Sequence, residues 1–170
     1  IFNDVGLILN IESRGPFGPA LLFETSPGNE HLIKLYANHA RYPFAYSIMN
    51  MVYQKMPNGT DMNIVRDSIP GFNFSPIADI NHYHTDLDNI HNISETTIQH
   101  YGEQVVPIIK EYLTNTMYDD KEYLKAKEDL IYFSIPLLGM YHFTKNQYWL
   151  LNIGLCLLLL HLLMKDKNFC

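Results

Sequence analysis

Val5-Gly6-Leu7-Ile8-Leu9-Asn10-Ile11, closed by Glu12, is the run whose reading decides the fold. It is short, apolar and contains β-branched residues, so it reads as a strand. A second run, Pro19 to Glu24 (PALLFE), follows a connector, Glu12 to Gly18, rich in Gly and Pro turn signals. The two runs read as neighbouring strands, at least one of them central, because their apolar residues do not alternate with polar ones. The period-two rule puts Asn10 and Glu12 on one face of the first strand. An acidic residue there is ordinarily a solvated strand end. It also stands where α/β sheets gather ligands, beyond the carboxyl ends of strands.

Helical spacing organises the segments between and after the strands. A helix is expected from about Gly28 to His39, with Leu32, Leu35 and Tyr36 on one face, and another from the cap Ser47 to Lys55. Pro57 to Thr60 is a turn, with Thr60 capping a short helix through Arg66. Ile69 to Phe74 reads as a turn entering a strand. Ser94 starts a long helix with Ile98, Tyr101, Val105, Ile108 and Tyr112 at helical spacing, bent at Pro107. The apolar and aromatic stripes on these helices are core. The sum is an α/β domain.

The 170 residues suffice for one domain of ordinary size, and the chain opens at Ile1 without an initiator Met or a signal pattern. The expectation is a piece of a longer protein. Net charge is −6 with acids and bases interspersed, which excludes nucleic acid as a partner, since phosphate binding needs concentrated Lys and Arg. The two Cys provide neither a disulfide framework nor a thiolate zinc site. Any zinc is then held by His and carboxylate.

Imidazoles and carboxylates are densest in the loop after the third strand. Asp79, His82, His84, Asp86, Asp88 and His91 put three His and three Asp between residues 79 and 91. Imidazole is the commonest metal ligand near neutral pH, and carboxylates ligate metals or orient imidazoles. The plain alternative is a polar surface loop whose His residues only form hydrogen bonds.

Composition changes again after residue 117. Tyr118 to Asp129 is charged and reads as a solvated helix or linker, residues 117–129. The remainder, 130–170, reads as a membrane-associated segment. Tyr148 to Met164 carries no charged residue, and about 20 apolar residues, with roughly 17 as the lower limit, cross a bilayer. Tyr148 and Trp149 form an interfacial aromatic pair, and Lys165 and Lys167 a basic flank. A buried core helix is the alternative, favoured by Asn152 and His161. A span is preferred because the rest of the chain is too small to surround such a run. The basic flank places the end of the span in the cytoplasm and the domain in the lumen or outside the cell. The sequons Asn58-Gly-Thr and Asn92-Ile-Ser agree with that side.

Five ordered motifs carry a resemblance: Asn10-Ile11-Glu12-Ser13-Arg14-Gly15; Gly18-Pro19 with Leu22-Phe23-Glu24-Thr25; Met56-Pro57-Asn58 with Thr60-Asp61; Ile69-Pro70-Gly71; and Tyr83-His84-Thr85 with Asp88. The chain resembles the C-terminal half of the co-catalytic di-zinc aminopeptidase family of clan MH, the aminopeptidase Y type. It is most similar to the membrane branch typified by endoplasmic-reticulum and vacuolar membrane metallopeptidases. The resemblance covers about residues 3 to 115 and implies that residues 1–116 are the C-terminal part of a mixed-sheet, helix-flanked zinc exopeptidase domain, followed by a transmembrane helix.

The resemblance further implies that Glu12 and His84 ligate two different zinc ions bridged by an Asp this chain lacks. It implies that Tyr83 hydrogen-bonds the oxyanion of the tetrahedral intermediate. Asp61 and Asp88 take supporting or structural roles, and His82, His91 and His100 are surface or supporting residues. Two zinc ions roughly 3.5–4 Å apart activate a shared water, and a carboxylate base moves its proton. The general base and the remaining ligands lie N-terminal to this chain in the family pattern, so the chain alone is expected to hold zinc poorly and not to hydrolyse peptides. The implied partners are a peptide substrate and a lipid bilayer. The rival readings are a peptidase-like binding or receptor module without catalysis, and a structural membrane subunit with an incidental His-rich loop. A Glu-Glu pair and a His-x-Asp upstream of Ile1 would favour the enzyme.

Overall fold

The computed structural model describes residues 4–167, with side chains described through Lys165; Ile1, Cys170 (one of the two Cys) and the side chain of Lys167 lie outside the described residues. Its centre is a three-stranded sheet of β1 (Ile8–Ile11), β2 (Leu21–Thr25) and β3 (Gly71–Ser75). The order is β1-β3-β2, with β1 parallel and β2 antiparallel to β3. The first two strands are therefore not neighbours, and β3 is the central one. All five residues of β3 are buried, although Asn73 interrupts its apolar pattern.

Both faces of the sheet are covered. Phe72 and Phe74 point into the main core, where they meet Leu22, Leu32, Tyr36, Val105 and Ile108. The helices on that side are α1 (Glu30–His39), which supplies Leu32 and Tyr36, and α3 (Glu95–Thr114), which supplies Val105 and Ile108. Ser94 caps α3 by accepting the Thr97 N–H, as its sequence position suggested. Leu21 and Phe23 face the other way onto Tyr53 of α2 (Ser47–Tyr53), with Phe44, Tyr46 and Met49 around them. Ser47 begins α2, but the capping position is Tyr46 and no side chain caps it. Thr60 precedes only a 3-10 turn, Asp61–Ile64, and its hydroxyl is turned to the sheet instead.

The charged stretch 117–129 is docked against the domain rather than free. Tyr118 and Leu124 lie among its charges and enter the main core. Asp129 accepts the backbone N–H groups of Gly28 and Asn29, and Asn29 accepts that of Leu130. Gly28 has a φ of +69°, and a Cβ there would meet the Ala126 carbonyl at 2.0 Å. The apolar stretch that follows is a hairpin of β4 (Ile131–Ile135) and β5 (Gly139–Phe143). Alternation explains it: Tyr132 and Ser134 turn inward while their neighbours stay more exposed. Ser134 exchanges hydrogen bonds with Ala45, which ties the hairpin to the outer edge of β2.

The last element is α4 (Lys145–Lys167). Thr144 and Gln147 form a reciprocal capping box at its start, each side chain accepting the other's backbone N–H. Among the described residues this is the one helix long and apolar enough to cross a membrane, and no part of its apolar window is buried.

Candidate metal-binding rim

Parallel pairing of β1 with β3 brings their carboxyl ends to one edge, so Glu12 and the loop after Ser75 leave the sheet side by side. The Glu12 N–H donates to the Phe74 carbonyl at 2.9 Å, extending the ladder one residue beyond β1. The Glu12 carbonyl in turn accepts the Tyr101 hydroxyl of α3. Burial, with the nearby Glu12 charge adding to it, pushes the Tyr101 phenol far above its ordinary pKa, so it stays a donor. The backbone under Glu12 is thus fixed from two sides, while its side chain is half-buried.

The loops that carry the candidate residues interlock. The Arg14 N–H donates to Ser75 Oγ at 2.9 Å, and the Ala78 N–H donates to the Phe17 carbonyl at 3.2 Å. Gly15 lets them meet, because a Cβ there would stand 1.9 Å from the Ala78 carbonyl oxygen. On the far loop the Tyr83 and His84 rings stack at 3.8 Å with 20° between their planes. The Arg14 guanidinium lies over the Tyr83 ring, 5.0 Å from its centroid. His84 is exposed and has a φ of +58°, a left-handed turn residue at the tip of the loop.

A polar row runs beneath this edge. Asn10, Asn73 and Glu24 are register partners across the three strands. Asn10 donates to Asn73 at 2.8 Å, Asn73 donates to Glu24 at 2.9 Å, and Arg66 pairs with Glu24 at 2.9 Å. Asn73 also donates to Thr60 at 2.8 Å, and the Asn10 amide approaches Glu12 Oε1 at 3.4 Å. Glu24 and Asn73 are wholly buried. The Glu24 hydrogen bond is the largest reason that the Arg66 guanidinium is held above its ordinary pKa. A continuous chain of side-chain contacts therefore reaches from a buried ion pair to Glu12.

The other His residues separate by environment. His100 is structural: its Nδ1 accepts the Ala20 N–H, and its Nε2 meets the Tyr42 carbonyl, both at 2.9 Å. His82 is half-buried against Phe17, and its Nδ1 has no hydrogen-bond partner among the described residues. His91, Asp61 and Asp88 are exposed. Among the described residues no group of three or more His, Cys, Asp or Glu converges. A carboxylate and an imidazole, as Glu12 and His84 offer, are both ligand types that zinc accepts, and two such residues supply part of a coordination shell. Arg14 and Glu24 stand inside motifs of the resemblance, which assigns neither a role, and Asn73 is a lone polar residue in an apolar strand. The partners of all three come from other segments.

The family model for peptidase family M28 matches residues 2–109. The human protein named endoplasmic reticulum metallopeptidase 1 is 34% identical over 113 residues, covering 64% of this chain and 12% of that protein. Its Caenorhabditis elegans namesake, putative endoplasmic reticulum metallopeptidase 1-A, is 26% identical over 158 residues, 91% of this chain and 18% of that protein. The vacuolar membrane protease of Candida dubliniensis is 31% identical over 102 residues, 58% of this chain and 11% of that protein. The chain thus spans less than a fifth of the length of each of these relatives. No solved structure matches it.

Proposed function

The chain belongs to peptidase family M28, and on that footing we propose that it forms the C-terminal half of the peptidase domain of a membrane-anchored zinc exopeptidase, an aminopeptidase. The observation that carries this reading is the interlock of the Glu12 and Tyr83-His84 loops at one sheet edge. Glu12 and His84 would each give one donor to a different zinc ion, and the other ligands and the general base would come from the N-terminal half of the domain. Bound there, zinc supplies an activated water and polarises the scissile carbonyl. Tyr83 offers a phenol to the developing oxyanion, with its ring held between Arg14 and His84. The Asn10–Asn73–Glu24 row holds Glu12 in place from below.

The anchor is α4. Leucines around its circumference are exposed, which is unfavourable in water and favourable in a bilayer. Asn152, a polar residue within the span, donates to the Tyr148 carbonyl one turn back, so its amide is partly satisfied inside the helix. Lys165 at the far end favours a cytoplasmic C-terminus and a lumenal or extracellular domain.

The test is metal analysis and peptide hydrolysis with the full-length protein in detergent. Two zinc ions per domain are expected, with Glu12→Ala and His84→Ala each lowering the zinc content and the rate of amino-terminal residue release. Protease protection in sealed vesicles checks the orientation. A full-length protein without zinc or hydrolysis would leave the reading of a peptidase-like binding module in a membrane.

A further inference from the structure

Among the described residues Arg14 stands out as a cation with no anionic partner, and one of its terminal nitrogens is buried without a hydrogen bond to any of them. None of the ion pairs among the described residues includes it. Its contact is the face of Tyr83, which attracts the charge but leaves the in-plane N–H donors of that nitrogen unused. Leaving a charged donor dry and unpaired is unfavourable, so the site is arranged for a partner that is not part of this chain.

The surroundings define that partner. Arg14 lies at the border of a cavity of about 480 Å³, within the size range of small-molecule sites. The rest of the wall is mainly apolar, from Leu21 and Phe23 of β2, Met49, Val52 and Tyr53 of α2, and Ile77. A guanidinium binds a carboxylate through two parallel N–H···O bonds. An acidic side chain would carry its charge into the apolar walls. A peptide's last residue differs: its carboxylate and its side chain leave the same Cα, so a cation can hold the first while apolar walls take the second. Tyr83, the candidate oxyanion donor, lies directly under Arg14, which keeps the carboxylate about one residue from the scissile carbonyl.

We propose that Arg14 and this cavity form a subsite for the carboxyl-terminal residue of a very short peptide, a dipeptide above all, with an apolar side chain in that position. The proposal rests on the peptidase reading, but its test needs neither metal nor turnover. The chain in detergent is titrated with N-acetyl-leucine and with N-acetyl-leucinamide, which differ in the carboxylate, and with the α-amide of N-acetyl-aspartate. Binding is read by NMR shifts of the Tyr83–Thr85 amides. N-acetyl-leucine should bind at least ten-fold more tightly than either amide, and Arg14→Met should abolish that difference while Arg14→Lys keeps part of it. Val52→Trp, which fills the cavity and leaves Arg14 in place, should weaken N-acetyl-leucine by a similar factor with unchanged circular dichroism. Equal binding of acid and amide, a preference that survives Arg14→Met, or tighter binding of the aspartate amide would overturn the proposal. Zinc binding by the full-length protein could still stand in any of those cases, so the two readings fail separately.

Discussion

Asn73 Nδ2 donates to Glu24 Oε2 at 2.9 Å, which fastens a wholly buried carboxylate to the middle of the central strand. The same carboxylate takes the Arg66 guanidinium at 2.9 Å on its other oxygen. Removing one member of a buried ion pair costs about 3–5 kcal/mol, because the charge left behind is neither solvated nor paired. Arg66 keeps 26% of its side-chain surface in water, so the lower end applies. Arg66→Met should therefore destabilise the chain by about 3 kcal/mol. Glu24→Gln, which removes the charge and keeps the shape, should cost less. Urea midpoints of the two variants check this, and an equal or smaller loss for Arg66→Met would refute it.

Asn73 also accepts from Asn10, whose amide approaches Glu12. Residues behind a metal ligand orient it, and their loss typically lowers metal affinity by about 10–100-fold. Asn73→Leu should therefore weaken zinc binding by the full-length protein within that range, although residue 73 touches no metal in the proposed site. Competition with a chromogenic chelator measures it. Unchanged affinity in a folded Asn73→Leu protein would show that Glu12 is positioned by its backbone contacts alone.

The rim depends on a close backbone approach. Gly15→Ala places a methyl carbon 1.9 Å from the Ala78 carbonyl oxygen, and backbone cannot step aside as a side chain can. The loops must separate, with an overpacking cost of about 1–3 kcal/mol. The Arg14 stack on Tyr83 should loosen with them. Tyr83 fluorescence is ambiguous among 12 tyrosines, so the measurement is NMR of the Tyr83–His84 amides together with the thermal midpoint. A native spectrum for Gly15→Ala would contradict the interlock.

His142 gives the domain a pH dependence of known sign. Burial first, and the Lys34 charge second, hold its pKa below the ordinary 6.5, with Glu30 opposing them weakly. Above 6.5 the imidazole is neutral in both folded and unfolded chains, and the full stability is present. As the pH falls below 6.5 the unfolded chain takes up the proton first, so stability is lost down to the lowered folded pKa. Denaturation between pH 7 and 5 should show this slope, and His142→Gln should reduce it. An identical slope in the variant would place the dependence on other groups.

Much of the framework was legible before the structure, because it rests on local signals. Continuous apolar runs marked β1 and β2, Ser94 marked the start of α3, and the absence of charge marked α4. The order of the strands was not legible, since β3 carries Asn73 at its centre and a polar residue there argues against a central strand. That residue is polar because Glu24, 49 positions away, answers it. The sequence groups hairpin β4–β5 with the membrane tail because Tyr132 and Phe133 raise its apolarity as much as leucines would. Its alternation with Ser134 was the signal available. At the rim the sequence offers Glu12 and His84 as proposed ligands, whereas Arg14 needs the cavity and the Tyr83 stack to be seen.

Removal of α4 separates the two halves of the chain. Its capping box is built from Thr144 and Gln147 alone, so the helix starts without help from the domain. Its leucines stay largely exposed: Leu150 is 70% exposed and Leu163 52%. A helix that adds no core should be dispensable to the fold, and one that exposes this much apolar surface should govern partition into lipid. A chain ending at Phe143 should keep its thermal midpoint within a few degrees and stay monodisperse without detergent. The chain with α4 should float with phosphatidylcholine vesicles. Unfolding of the shorter chain would mean that α4 packs against the domain as part of its core, and failure of the longer one to float would remove the anchor from the proposed function.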